Sequence, residues 1–225
     1  MTKSPTTTTR GRVFVASMNM RGKRAPPGSP SSLKLNVTSA QPHSSPYRAA
    51  FSPMTAVPNG FNPTDSTDST DKFHCFENWW QSLKVIEGVD KEKSDEWWRK
   101  QTAPHRRFPN SKDKKKLYCL LNGKQYNYVD SRKHIYVPFY HQYILSRKIS
   151  QDSLQFFKDQ LDAGHDVTVY DFDGPRITNG PDKGITCQEL SSDLLQQKIL
   201  DTSHPFGHCY VVAAHLANIP LNLFC

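Results

Sequence analysis

An aromatic segment, residues 76–84, constrains the fold of this chain more than any other stretch. Helical periodicity gathers its bulky side chains, with one from the residues that follow, on a single face: Phe76, Trp79, Trp80, Leu83 and Ile86. The opposite face carries Glu77, Gln81 and Lys84 at the spacing i, i+4 and i+7. The segment therefore predicts a core helix over residues 76–88 with one polar stripe.

The polar stripe admits two interpretations. A carboxylate stabilises a cation-like sugar carbon or activates water, and an amine whose pKa is lowered forms a Schiff base with an opened sugar. Glu77, Gln81 and Lys84 supply these groups and an amide that holds a hydroxyl. The alternative is an ordinary solvated helix surface, since the stripe lies opposite the apolar face. Spacing alone favours this second interpretation.

Composition indicates one globular domain. The chain has 225 residues with a low hydrophobic content of 36%, yet its 12 Phe, 9 Tyr and 4 Trp suffice for one core. Residues 1–11 are rich in threonine and are expected to form a disordered tail. Residues 12–225 then form the domain, interrupted by a low-complexity insert at residues 58–72 that predicts a mobile surface loop.

The chain carries a net charge of +8, which favours polyanionic partners such as nucleic acids or nucleotides, although it also serves ordinary solubility. Much of the positive charge falls in residues 99–116, where Pro104 and Pro109 disfavour a regular helix. This stretch is able to follow a nucleic-acid backbone, or it is a solvated basic loop.

Cysteine usage and hydropathy bear on the compartment. Five cysteines, with irregular spacing and no CxxC pair, predict free thiols in a reducing compartment. We find neither an apolar run long enough for a membrane span nor a signal-peptide core, so we expect a cytoplasmic or nuclear protein without membrane partners. The oligomeric state is left open, with a monomer favoured. Four candidate zinc ligands fit no compact pattern, so neither metal nor cofactor is expected: His204, His208, Cys209 and His215.

Local patterns alternate strands and helices, with helices in the majority, which predicts a mainly helical α+β domain. The predicted strands cover residues 12–16, 33–37 and 167–172. The predicted helices are capped by Ser94, follow Pro138 within residues 136–148, and cover residues 151–163 after Ser150. Thr186 and Glu189 form a capping-box pattern before a helix to about residue 200, and a last helix follows Pro205.

Two carboxylates, Asp171 and Asp173, follow the strand at residues 167–172 and precede a Gly-Pro turn. Carboxylates at a strand end are able to bind ribose hydroxyls at a sheet edge, with Arg176 on a phosphate. The alternative is an Asp-Gly-Pro turn closed by its own side-chain bond, and the other ligands of a divalent metal are lacking.

The start of the last predicted helix offers another candidate site. Gly207 allows close approach of a ligand to the helix N-terminus, where the backbone N–H groups attract anions. His208 lies in the first turn and is placed to touch a phosphate or a base. A capped helix with surface histidines is the simpler alternative.

Two blocks of the chain resemble the NADAR family, which includes the YbiA-like proteins. Residues 51–54, Phe-Ser-Pro-Met, stand for its FSNF-like element, and after the insert residues 73–84 stand for its SEHYYQAxK-like helix. Glu77, Gln81 and Lys84 fall on the Glu, Gln and Lys of that signature. The tryptophans at 79 and 80 take its two aromatic positions, while an asparagine at 78 replaces its usual histidine.

The rest of the family pattern is looser. Residues 206–216 resemble a divergent form of its C-terminal GxNxLGxxLM helix, and Asp171 or Asp173 stands for an aspartate before that helix. The Asp-Gly-Pro-Arg run departs from the pattern, and residues 12–49 are largely unmatched. The resemblance covers about two thirds of the chain. Within the family, the chain looks similar to divergent forms found in large DNA viruses and some eukaryotes.

The resemblance implies an α+β fold and an N-glycosidase that cleaves ribose–nitrogen bonds, as in ADP-ribosylated guanine bases or early riboflavin intermediates. The resemblance also implies that the catalytic residues are Glu77, Lys84 and Asp173. The substrate-binding residues are Phe51, Ser52, Trp80, Gln81, Asp171, Arg176, Gly207 and His208. The partner would be an ADP-ribosylated nucleic acid or a nucleotide-like small molecule. Two rival hypotheses remain, a non-catalytic ADP-ribose-binding module and a basic nucleic-acid-binding accessory protein.

Overall fold

The structure, a computed structural model, describes residues 9–18, 32–63, 72–177, 179–180 and 183–221. Its strands are β1 (Val13–Ser17), β2 (Leu33–Asn36), β3 (Lys84–Ile86), β4 (Lys116–Leu121), β5 (Lys124–Tyr126), β6 (Val167–Asp171), β7 (Arg176–Ile177), β8 (Gly184–Ile185) and β9 (Cys187–Glu189). Its helices are α1 (Pro46–Phe51), α2 (Phe76–Ser82), α3 (Lys91–Arg99), α4 (Tyr128–Ser131), α5 (Val137–Tyr140), α6 (Lys148–Asp162), α7 (Ser192–Leu200) and α8 (His208–Leu216). One α+β domain with more helix than strand results, as the sequence predicts.

The larger sheet has the order β2-β6-β1-β9, with β1, β2 and β6 parallel and β9 antiparallel. The predicted strands near residues 12–16, 33–37 and 167–172 are thus confirmed. In β1, Val13 and Val15 face the main core, whereas Phe14 and Ala16 pack in a smaller cluster on the other face. Because α8 packs on β1 and β6, the carboxyl ends of the parallel strands lie beside the start of α8.

The predicted helix over residues 76–88 is wrong in its second half. α2 ends at Ser82, and Lys84 begins β3, which pairs antiparallel with β4. The reason is that Val85 and Ile86 are β-branched and fit a strand better than a helix. β4 and β5 form a hairpin that was not predicted. Its turn is the pair Asn122-Gly123, whose φ values of 51° and 74° are positive, as is typical of Asn-Gly hairpin turns.

Residues 128–145 form one helix in which α4 and α5 alternate with π-helical segments, Arg132–Tyr136 and His141–Leu145. This helix begins earlier than the predicted one. Pro138 has no N–H to donate to the turn before it, which accounts for the loosened π-helical turn ahead of α5.

Three helix starts differ from the predictions. Asp90 caps α3 by accepting a hydrogen bond from the Lys93 N–H at 3.0 Å, and Ser94 is buried inside that helix. Ser191 caps α7, so the capping-box prediction is wrong, because the preceding residues Cys187–Glu189 pair with β1 as β9. α6 begins at Lys148 rather than after Ser150, while α8 follows Pro205 as predicted.

The two segments predicted to be mobile lie partly outside the described residues, which exclude 1–8 and 64–71. The end of the first is attached to the domain, since the Gly11 N–H donates to the Leu161 carbonyl at 2.7 Å. At the start of the second, Phe61 is buried and pairs with Phe73, contrary to a surface loop there. Phe61 is held by ring contacts to Phe76 and Tyr143.

Two further properties are the hydropathy of the helices and the state of the cysteines. Among the described residues, no helix is both long and apolar enough to cross a membrane. The cysteines at 75, 119, 187 and 209 are free and buried, as the sequence predicts, and Cys225 lies outside the described residues.

Candidate functional site

A cleft of about 240 Å³ opens beside α2 and β3. Three kinds of side chain form it: a polar floor, aromatic walls and a basic mouth. The lining residues are Glu77, Trp80, Gln81, Lys84, Arg106, Arg107, Lys116, Tyr128, Arg132, Tyr136, Pro205 and Phe206. A larger cavity of about 410 Å³ adjoins it and shares four of these residues, Trp80, Lys84, Lys116 and Tyr128.

The floor of the cleft is a chain of hydrogen bonds through the predicted polar stripe. The Gln81 Nε2 donates to Glu77 Oε1 at 2.6 Å, and the Lys84 Nζ donates to Gln81 Oε1 at 2.7 Å. Gln81 therefore connects the carboxylate to the amine, although the turn from helix to strand lies between them. The structure brings Glu77, Gln81 and Lys84 together, but in a cleft instead of on a solvated helix surface.

Lys84 is buried, with only 7% of its surface exposed. Burial, and next the charge of Lys116, lower the pKa of Lys84, and Glu77 partly opposes both. The resulting pKa is about 7. The Nζ also lies 5.1 Å from the centroid of the Trp80 ring. At neutral pH a large fraction of Lys84 is thus uncharged, which gives this amine nucleophilic character.

The carboxylate of Asp173 belongs to the same electrostatic cluster. Burial, and next the charge of Asp171, raise the pKa of Asp173 to about 6, and Glu77 adds a smaller effect. Burial, and then the charges of Glu77 and Asp173 among others, raise the pKa of Tyr136, which lines the cleft. Asp173 therefore keeps a proton to a higher pH than an ordinary carboxyl group, but it is not among the residues that line the cleft.

Asp171 and the start of α8 form a buried support behind this cluster. The His208 Nε2 lies 2.7 Å from the Val37 carbonyl and must carry a proton, because a carbonyl only accepts. The His208 Nδ1 faces Asp171 Oδ2 at 3.4 Å, an ion-pair distance at which Oδ2 makes no hydrogen bond. A Cβ on Gly207 would lie 2.7 Å from both Asp171 Oδ2 and Asp173 Cβ, so only glycine fits there.

The basic loop reaches the cleft because Asn78 anchors it. The buried Asn78 side chain donates to the Ala103 carbonyl and accepts from the His105 N–H, both at 2.9 Å. Arg106 and Arg107 follow directly and project at the cleft mouth, where they are exposed. The asparagine that departs from the family signature therefore positions the basic loop.

Two residues predicted to bind substrate are placed elsewhere. Phe51 and Ser52 are fully buried, so their assignment as substrate-binding residues is corrected to a supporting role. The Phe51 carbonyl accepts from Tyr140, and the Ser52 hydroxyl contacts Ser39 at 2.7 Å. The next residue in the chain, Pro53, accepts the Glu77 N–H at 2.9 Å.

The remaining predicted residues are divided between the cleft and its surroundings. Trp80 lines the cleft, and Gly207 and Asp171 lie behind it, as described above. His208 is buried and does not line the cleft, so it is neither at the cleft to touch a phosphate or base, as predicted, nor the surface histidine of the alternative. Arg176 is exposed and donates to the Phe172 carbonyl at 3.1 Å. Its charge lowers the pKa of Asp173, whereas burial and the charge of Asp171 raise that pKa by more.

Sequence reasoning missed three aromatic residues of the cleft, Tyr128, Tyr136 and Phe206. Tyr136 contacts Trp80 at a ring-centroid distance of 5.2 Å, and Phe206 stacks on Tyr210 at 4.9 Å. A recurrence of Tyr128, Arg132 and Tyr136 at every fourth position was visible in the sequence and would have indicated one helical face.

Comparison with protein-family models, curated proteins and solved structures finds no match to this chain. Among the described residues, no three His, Cys, Asp or Glu side chains group closely enough to hold a metal ion.

Proposed function

We propose that this protein is an N-glycosidase that hydrolyses the bond between ribose and nitrogen in a nucleotide-derived adduct, with ADP-ribosylated guanine as the leading candidate. One observation carries the proposal, namely the Glu77–Gln81–Lys84 hydrogen-bond chain at the floor of a cleft. The family resemblance assigns function to these same three residues, which supports the proposal.

The lining of the cleft suits a phosphorylated sugar. The exposed Arg106, Arg107 and Lys116 place positive charge at the mouth, where phosphate groups would bind. Trp80 and Tyr136 offer apolar faces to the sugar or base below. The substrate would thus enter with its reacting carbon toward Glu77 and its phosphates toward the basic loop.

The reaction breaks the bond between C1′ and nitrogen, and the departing nitrogen keeps the electron pair. Asp173, whose pKa is about 6, supplies the proton that this nitrogen accepts, and it does so through a water molecule because Asp173 is not among the residues that line the cleft. The Glu77 carboxylate stabilises the cation-like sugar carbon and takes a proton from the water that adds to C1′. Proton exchange with solvent then restores both carboxyl groups.

Lys84 has one of two roles in this scheme. As an ammonium held by Gln81, it orients the amide that positions Glu77. As a neutral amine, it attacks the aldehyde of an opened ribose and forms a Schiff base with loss of water. Borohydride distinguishes these roles, because it reduces a Schiff base to a stable adduct on Lys84 that peptide mass spectrometry detects.

The test is incubation of the purified protein with DNA ADP-ribosylated on guanine, and the measurement is released ADP-ribose. We expect release by the wild-type protein and by Glu87→Gln, a control at an exposed residue just beyond β3. Glu77→Gln keeps the size of the side chain, and we expect it to lower the rate by about 10²–10⁴-fold. A folded wild-type protein that releases nothing from this DNA or from ribosyl-amine metabolites would refute the proposal.

A non-catalytic binding module is the second candidate. It is favoured by the position of Asp173 outside the lining of the cleft, since a proton donor that does not contact the ligand is poorly placed for turnover. Calorimetry with ADP-ribose separates the candidates: tight binding together with no release from any ribosylated substrate supports the module.

A further inference from the structure

A second cavity lies apart from the cleft and shares none of its lining residues. It measures about 700 Å³ and lies where residues 137–142 meet α6 and the end of α8. The lining consists of Val137, Pro138, His141, Gln142, Lys158, His215, Asn218, Ile219, Pro220 and Leu221. We call it the C-terminal groove.

Three nitrogen-bearing side chains converge on one side of the C-terminal groove. The Lys158 Nζ lies 3.2 Å from His215 Nε2, and the ring centroids of His141 and His215 are 5.8 Å apart. Within the described part of the chain, no carboxylate forms an ion pair with any of the three. Asp162, one turn beyond Lys158 on α6, is already paired with Arg10 at 2.8 Å.

His215 is neutral in this environment. Burial, and then the charges of Lys158 and His141, lower the pKa of His215 to about 4. The His215 Nε2 therefore accepts a hydrogen bond from the Lys158 ammonium, and its Nδ1 carries the proton. The cluster is a region of positive potential whose counter-charge the described chain does not supply.

The rest of the lining is largely apolar. It includes Val137 and Pro138 on the long helix and Ile219, Pro220 and Leu221, which follow α8. Gln142 and Asn218 add amide donors. A cationic end joined to an apolar wall matches a ligand with an anionic head and an apolar body.

We propose that the C-terminal groove binds a small organic carboxylate with an apolar body. The carboxylate accepts hydrogen bonds from Lys158 and from the Nδ1–H of His215, while the apolar body covers Pro138 and Ile219. The site is independent of the proposed glycosidase activity, because it shares no residue with the cleft.

Octanoate is the probe, with octanol and inorganic phosphate as matched comparisons, and the histidine resonances of the full-length protein are followed by NMR. We expect saturable octanoate binding that moves the pKa of His215 upward from about 4, because a bound anion favours the imidazolium. Octanol lacks the charge and phosphate lacks the apolar body, so both should bind at least about tenfold more weakly. Equal binding of octanol or phosphate, or no binding of octanoate, would overturn the proposal.

Lys158→Met should weaken octanoate binding by about tenfold, the effect of one partly exposed charge-assisted hydrogen bond. Lys148→Met is the control, since Lys148 lies on the same helix and pairs with Asp152 in solvent. If Lys158→Met proves unfolded by circular dichroism, Lys158→Gln takes its place. Octanoate affinity that stays unchanged in the folded variant contradicts the site.

Discussion

Two buried cations in the same cleft wall, Arg132 and Lys84, are held in opposite ways. Arg132 is 2% exposed, and its guanidinium donates to the carbonyls of Ile199, Asp201 and His204 at 3.1, 2.6 and 2.6 Å. The Tyr128 ring adds a cation–π contact at 4.0 Å. Lys84, at 7% exposed, donates to one amide oxygen and lies over one tryptophan ring.

The difference shows how burial serves structure in one case and chemistry in the other. Arg132 exchanges its hydration for several carbonyls, so it fixes the segment between α7 and α8. Lys84 lacks such compensation, and the consequence is a pKa of about 7. Of the two, the incompletely satisfied cation that is held in a cleft is the candidate for the chemical group.

Lys84→Met provides the strongest test of this contrast. If Lys84 is the chemical group, the variant should lose turnover of ribosylated substrate by about 10²–10⁴-fold. At pH 7 it should be more stable than the wild type, since the folded chain no longer buries an amine whose pKa is lowered on folding. Rate measurements and urea unfolding of the same sample check both statements, and normal turnover would remove Lys84 from the chemistry.

Arg132→Met should show the reverse pattern, in which the main effect is a loss of stability. The three carbonyls lose their donor, and we expect a decrease of about 3–5 kcal/mol in the free energy of unfolding. Urea unfolding at pH 7 measures it, with the partly exposed Lys133→Met as the neighbouring control. If Arg132→Met does not lower the free energy of unfolding more than Lys84→Met does, the distinction between the two cations does not hold.

The pH dependence of stability sharpens the contrast further. The pKa of Lys84 falls from 10.5 to about 7 on folding, so between these values the unfolded chain binds more protons and stability rises with pH. The slope from this group is at most about 1.4 kcal/mol per pH unit. Asp173 acts oppositely: its pKa rises from 3.8 to about 6, so its stabilising effect is lost as pH rises through that window.

Unfolding midpoints measured across pH test these signs. Subtracting the Lys84→Met profile from that of the wild type isolates the upper window, and Asp173→Asn isolates the lower one. A flat difference between pH 7 and 10 would mean that Lys84 is not desolvated.

Lys116→Met should produce the smallest effect. The charge of Lys116 lowers the pKa of Lys84, but Lys116 is exposed, and solvent and salt screen it. We expect the pKa of Lys84 to rise by a few tenths, which NMR of labelled lysine detects. Raising the salt concentration should reproduce the change in the wild-type protein.

The strands β1, β2 and β6 and the helices α6 and α8 could be predicted from the sequence because each has its own regular hydrophobic pattern. The strand β3 could not, because Lys84–Ile86 continues the helical pattern of α2 and is fixed only by pairing with Cys119 and Tyr118 on β4. Likewise, spacing placed Glu77 and Gln81 on one face but could not show that Tyr136 and the basic loop would enclose that face.

The support residues were the hardest to interpret. Phe51 and Ser52 were chosen by resemblance to a motif, and the structure buries both of them under the core, where they contact Tyr140 and Ser39. Asn78 shows the same effect in reverse: its departure from the motif has a structural cause, the anchoring of the loop at Ala103 and His105.

The pairing of Phe61 with Phe73 has a consequence for how this chain tolerates change in length. The backbones of the two residues exchange hydrogen bonds of 2.7 and 2.9 Å, so residues 61 and 73 are fixed side by side. The intervening sequence can therefore lengthen or shorten at a small entropic cost, without disturbing α2 or the cleft beside it. This position is suited to inserting a tag or a reporter domain.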